Sequence, residues 1–388
     1  MMELMADQSA PPPADAARSE APLRSVHTDT FPQLLAETAS SLLVTTYQAG
    51  KLIVLRNDGG VLNTHFRNFP KPMGLAVDGG RLALATGLDI AEFHNVPAVC
   101  RRLEEPTPDA ASSTQPPAAR GPVPRHDGCF LPRRTHTTGD VQTHEMAWVG
   151  EELWFVNTAF SCLATRSEFA SFAPRWRPPF VSALQPGDCC HLNGLALRDG
   201  RGRYVTALGE TDSPDGWRDN KRDGGVLIDV DSGESIVRGL SMPHSPRWYG
   251  GRLWLLESGD GSLGYVDLEA GRYEPIVKLP GFTRGLAFLG PLALVGLSQV
   301  RESAHFSGIP LVERLQERIC GVWAIHLETG QPVAFVRFEE AVQEIFAVEA
   351  LPGMRFPDVV NHDVDLIGSA YVLPETAMAE VPAELRSR

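Results

Sequence analysis

Residues 74–87 read GLAVDGGRLALATG, and residues 246–259 read PRWYGGRLWLLESG. The two segments align without a gap. Three others fit the same frame: EMAWVGEELWFVNT at 145–158, GLALRDGRGRYVTALG at 194–209 with two extra residues in its turn, and GLAFLGPLALVGL at 285–297 with one fewer. A weaker copy, EIFAVEALPGMRFPDVV, begins at Glu344. Repetition constrains a chain more than composition does, because one unit alone cannot bury its apolar face and must stack against its neighbours.

Each copy is a short apolar strand, a turn containing Gly or Asp, and a second apolar strand, which is the signature of a hairpin. Second strands such as LALAT and LWLLE are apolar on both faces, as strands packed between neighbouring sheets must be. The segments GVLIDVDSGESIVRG, GSLGYVDLEAGRYEPIVKLP and GVWAIHLETGQPVAFVRF each add a further strand, turn and strand. An inner and an outer hairpin together make a four-stranded blade. The expected fold is therefore all-β, a six-bladed β-propeller. Near the N-terminus, SLLVTTYQAGKLIVLRND supplies the strands that the last copy lacks. The two ends of the chain are thus expected to share one blade, closing the ring and leaving few free sheet edges. A sandwich with chance repetition and a seven-bladed ring with one degenerate blade are the alternatives. The domain layout that follows is a disordered tail over 1–28, rich in Ala, Pro, Ser and acid, a single propeller domain over 29–370, and a C-terminal tail over 371–388.

Composition excludes some function classes. The formal net charge of −13 over 388 residues argues against a nucleic-acid or anionic-membrane binder, because phosphate contacts need clustered Lys and Arg. No apolar run reaches the roughly 18 residues that span a bilayer. The first residues lack the basic start and apolar core of a secretory signal, so the expected location is the cytoplasm. Six cysteines, Cys100, Cys129, Cys162, Cys189, Cys190 and Cys320, are too few for a disulfide scaffold and show no C-x-x-C spacing. They read as unpaired thiols.

The repeat also assigns positions. The residues just before each G-L-A-like triplet are Met73, His144, Asn193, Ser245, Arg284 and Glu344, with His191, His244 and Glu145 beside them. Corresponding positions of a ring converge on its axis, so these side chains are expected to share one central pocket. Three readings follow. His144, His191, Asn193 and His244 could hold a divalent metal such as Zn, Ca or Fe, since imidazole and amide or carboxylate oxygens are its usual ligands. Without a metal, Arg284 could anchor an anionic group by a bidentate contact while His144 or Glu344 moves protons. Alternatively, the polar residues satisfy one another around a water-filled channel.

Long segments lie between the hairpins, over 97–141, 159–190 and 298–320, together with the shorter 210–225. The first half of 97–141 is Pro-rich and reads as flexible. Arg175, Trp176 and Arg177, then Trp217 and Arg218, then Arg301 are candidates for substrate contact on loops gathered at one face of the ring. The stretch LVERLQER within 298–320 has helical character. For Phe169, Phe172 and Phe180, covering apolar blade ends is the simpler role. No P-loop, dinucleotide fingerprint, nucleophile elbow, zincin helix or EF-hand spacing occurs.

At HLNGLA (191–196), WRPPF (176–180), SPRWY (245–249) and FTRGLAF (282–288), the chain resembles an uncharacterised bacterial family of conserved hypothetical proteins with a domain of unknown function. The resemblance covers about residues 30–365. It implies a propeller and no particular activity. Asn193, in N-G-L-A, is also similar to one metal ligand of the gluconolactonase and senescence-marker propellers. Glu344 is the one acidic candidate on the same register. The three histidines resemble, in architecture alone, propeller lyases that hold zinc. The functional expectation is an enzyme acting by hydrolysis or elimination on a small polar, anionic or peptide-like substrate in the central pocket. The rival is a non-catalytic scaffold that presents its loop-decorated face to a protein or peptide.

Overall fold

The computed structural model describes residues 23–104, 125–300, 308–383 and 386. These residues form six sheets, each antiparallel in its main ladder, arranged around one axis as a six-bladed propeller. Named by their innermost strands in chain order, the blades begin at Leu75–Asp78, Thr143–Val149, Leu192–Arg198, Pro243–Tyr249, Phe282–Leu289 and Ala347–Pro352. These are the hairpins that the repeat marks. In the sixth blade the innermost strand Ala347–Pro352 pairs with Ser40–Thr46, which continues into Lys51–Asp58 and Val61–Asn68. The chain ends thus share one blade, as expected.

Both ends then reach past that shared blade. Leu23–His27 pairs with the outer strand of the fifth blade, so part of the expected 1–28 tail is a strand, and residues 1–22 lie outside the described residues. Pro357–Val359 adds a parallel strand to the outer edge of the first blade. The composite blade is thereby flanked on both sides by segments that cover its neighbours' edges. An ion cluster reinforces this crossing. Asp358 receives both arms of Arg67 from the sixth blade, and His65 stands 3.3 Å away. These partners hold the Asp358 carboxyl far below its ordinary range despite burial. The expected C-terminal tail contains the short helix Glu375–Met378.

Two of the long segments contribute strands to the blades. Within 159–190 lie Cys162–Thr165 and Ala173–Trp176, the two outer strands of the second blade. Within 97–141, Gly128–Thr137 is the outer strand of the first blade, and the Pro-rich part at 105–124 lies outside the described residues. In 298–320 the helical stretch is Pro310–Arg314. The six thiols are buried and unpaired. No helix among the described residues is long and apolar enough to cross a membrane.

The recurring glycine of the G-L-A triplet has a steric cause. A Cβ on Gly74 would sit 2.6 Å from His144 O, and one on Gly285 would sit 2.7 Å from Val348 N. Both clashes are with the innermost strand of the next blade. The strands converge so tightly at the axis that only a bare backbone fits there.

Candidate functional site

Four of the six register positions, Met73, His144, Arg284 and Glu344, line a cavity of about 280 Å³ on the axis at one face of the ring. The other two are turned beneath it. Asn193 donates through Nδ2 to Pro243 O and accepts at Oδ1 from Thr206, so both ends of its amide are engaged within the protein. Ser245 accepts the Gly285 N–H across the blade boundary. Those two blades reach the cavity through His191 and His244 instead.

The three imidazoles share one tautomer. Nδ1 of His144 lies 2.8 Å from Gln142 O, and Nδ1 of His244 lies 2.9 Å from Met242 O. A carbonyl can only accept, so Nδ1 carries the proton in both rings. Nδ1 of His191 faces the Asp188 carboxylate at 2.7 Å, which again requires N–H. Nε2 is thereby left free of these bonds in all three. Burial holds His144 and His244 well below the usual imidazole range, and the Arg284 charge adds to the effect, so both are neutral at pH 7.

Asp188 has a second donor, the Trp217 indole N–H at 3.0 Å. The rings of His191 and Trp217 pack with centroids 4.4 Å apart, and His144 meets His191 edge-on at 4.8 Å. Asp188, His191 and Trp217 therefore form a carboxylate–imidazole pair with a fixed orientation. The sequence offered no spacing that would expose Asp188 as a partner, because the pair is built by a sharp turn with positive φ at both Asp188 and His191.

Arg284 is a half-buried cation of the cavity. Its guanidinium lies 3.5 Å from the Phe346 ring centroid. Nη2 is buried without a hydrogen-bond partner, and no carboxylate among the described residues comes within ion-pair distance. Desolvation lowers its pKa to about 10, offset in part by the charge of Glu344. Burial, and then Glu344 beside it, push the Tyr47 hydroxyl far up, so Tyr47 stays protonated.

The candidates divide by location. Trp217 and Arg218 line the cavity, with the Arg218 guanidinium 4.3 Å from the Trp217 ring. Arg175, Trp176 and Arg177 do not. Arg175 bonds Thr165 and Glu152 on the outer part of the second blade. Trp176 packs into the apolar core beside Leu163, and Arg177 donates to Ser182 O. The reason is that 159–190 supplies outer strands, which stand farthest from the axis. Arg301 lies outside the described residues.

For a metal, the donor set is incomplete. Asn193 is engaged elsewhere, and among the described residues no three His, Cys, Asp or Glu side chains are grouped to hold one ion.

A second recurring pattern escaped the repeat reading. At the end of the second strand, Thr45, Thr158, Ser258 and Ser298 each donate a hydroxyl to a carbonyl of the next blade: Met73 O, Leu192 O, Thr283 O and Ile345 O. Thr158 and Ser258 also accept the Nδ1–H of His144 and His244. The signal was present as a hydroxyl residue recurring at the end of most of the apolar second strands, with Leu208 in its place in the third blade.

Among solved structures, the chain is similar to one titled as a nidogen/laminin complex, at 10% identity and TM-score 0.49, covering 81% of this chain and 99% of that one. It is also similar to a protein of unknown function from Bacteroides caccae, at 10% identity and TM-score 0.45, covering 80% and 98%. No curated protein matches. Residues 29–360 match the family described as a domain of unknown function, DUF4915, and the chain belongs to that family.

Proposed function

We propose that the axial cavity is the active site of an enzyme that binds a small organic anion and moves protons on it, in a hydrolysis or an elimination. The observation that carries this reading is Arg284: its Nη2 is buried without a hydrogen-bond partner, and no carboxylate among the described residues lies within ion-pair distance. A cation in that state is costly until an anion arrives, so a carboxylate or similar group on the ligand is the natural partner. The cavity volume of about 280 Å³ suits a small molecule.

The proton carriers follow from the tautomers. His191 Nε2 is free to take a proton, and the Asp188 carboxylate on Nδ1–H orients the ring and supports the charge it gains. His144 and His244, neutral with bare Nε2, accept hydrogen bonds from the substrate. Tyr47, kept protonated, can donate a hydrogen bond to the ligand.

The test is a thermal-shift screen of small mono- and dicarboxylates, with each hit followed by NMR for conversion. Binding in the parent should be lost in Arg284→Met, and turnover should be lost in His191→Asn with binding retained. A hit that binds through Arg284 and is never converted would leave a binding protein. Binding that survives Arg284→Met would overturn the reading.

A further inference from the structure

A second pocket, of about 250 Å³, lies at the outer part of the boundary between the first and second blades. Its walls carry four guanidinium groups, from Arg81, Arg133, Arg134 and Arg166, and two carboxylates, from Glu92 and Glu151. Both carboxylates are already paired: Arg166 stands 2.6 Å from Glu92, and Arg81 stands 2.9 Å from Glu151. Arg133 and Arg134 have no carboxylate partner among the described residues. Two uncompensated cations thus face one pocket, in a chain whose net charge is −13.

The backbone is shaped to produce this. Along a regular strand, successive side chains point to opposite faces. In Gly128–Thr137, however, Arg134 pairs with Glu92 and Pro132 pairs with Phe93, leaving Arg133 as the extra residue of a bulge. A bulge re-aims a side chain, and both consecutive arginines reach the same pocket. One edge of Arg133, formed by Nε and Nη2, is buried and has no hydrogen-bond partner, while Nη1 donates to Pro132 O. Two parallel N–H donors on one guanidinium edge match the oxygens of a phosphate. Arg166 Nε is a third buried donor without a partner.

We infer that this pocket binds a phosphate group, held by the Arg133 edge and balanced in charge by Arg133 and Arg134. It is separate from the axial cavity and does not depend on the function proposed there. Free phosphate and a small phosphate monoester share the chemistry that the pocket recognises.

The experiment is calorimetric titration of the full chain with inorganic phosphate and, separately, with phenyl phosphate, at fixed ionic strength. Saturable binding of at least one is expected, and the tighter probe identifies the source. Arg133→Gln should weaken it on the order of 100-fold, as loss of two charge-assisted hydrogen bonds implies. Arg134→Gln, at an exposed position that folding does not need, should weaken it about 10-fold through lost charge. Arg284→Met and the distant Arg198→Gln should leave it unchanged. Absence of saturable binding by either probe, or binding that Arg134→Gln leaves intact, or binding that Arg284→Met abolishes, overturns the inference.

Discussion

Two arginines stand on the axis of the ring, and they live in opposite circumstances. Arg247, toward the face away from the cavity, bonds Glu145 at 2.8 Å and Glu349 at 3.3 Å. The three residues come from the fourth, second and sixth blades, so one guanidinium ties alternate blades across the centre. Its two carboxylates outweigh the cost of burial and push its pKa above the ordinary value. Arg284 has Phe346 instead, and burial pushes its pKa down. A buried charge with partners holds a structure together, and one without them is poised to bind. At the cavity end, the holding is done by the hydroxyl bonds from Thr45, Thr158, Ser258 and Ser298.

The largest effect expected from this contrast is on Arg247. Arg247→Met leaves the buried Glu145 and the half-buried Glu349 carboxylates facing each other, and denaturant unfolding should show a loss of about 3–5 kcal/mol. A loss below 1 kcal/mol would show that the clamp is not structural. Thr158→Val removes the hydroxyl that donates to Leu192 O and accepts from His144 Nδ1–H, at an expected cost of about 1–3 kcal/mol in the same assay. Arg284→Met should move stability the other way, a gain of about 1 kcal/mol, because an unpaired, half-buried charge gives way to an apolar chain of similar length. A clear loss there would place Arg284 with Arg247 as a structural residue.

The two ends should also differ in pH dependence. His144 and His244 have folded pKa values below the imidazole's ordinary one, so they contribute stability that is present above about pH 6.5 and lost as pH falls below it. Glu349 is raised to about 7, by burial first and then by Glu145. Its contribution is full below its ordinary value of 4.5 and is lost as pH rises toward 7. In unfolding free energy measured from pH 4 to 8, His244→Leu should flatten the acid limb and Glu349→Gln the neutral one. Each slope is at most about 1.4 kcal/mol per pH unit. Identical profiles for the two variants would remove the distinction between the ends.

The ring was legible because its information is local and repeated. Each hairpin announces itself by alternation and turn residues, and six copies in register imply closure. The centre was partly legible for the same reason: Met73, His144, Arg284 and Glu344 reach the cavity from corresponding positions. Asn193 and Ser245 did not: their side chains are spent on bonds to the neighbouring blade, Asn193 to Pro243 O and Ser245 to the Gly285 N–H, contacts that no local pattern announces. Arg175 and Trp176 looked like loop residues because a short, poorly alternating outer strand is hard to tell from a loop, and Arg177 directly follows that strand.

The sequence by itself determined the number of blades, the sharing of one blade by the two chain ends, and the positions that point inward, since strand period and turn chemistry are encoded over a few residues. Only the tertiary structure decided which charges have partners. Arg247 lies 102 positions from Glu145 and 102 from Glu349, and the bulge that aims Arg133 exists only against the neighbouring strand. Whether a buried charge is a clamp or a binding site depends on what other blades bring within about 3 Å, and that distance is set by packing between units that are remote in the chain.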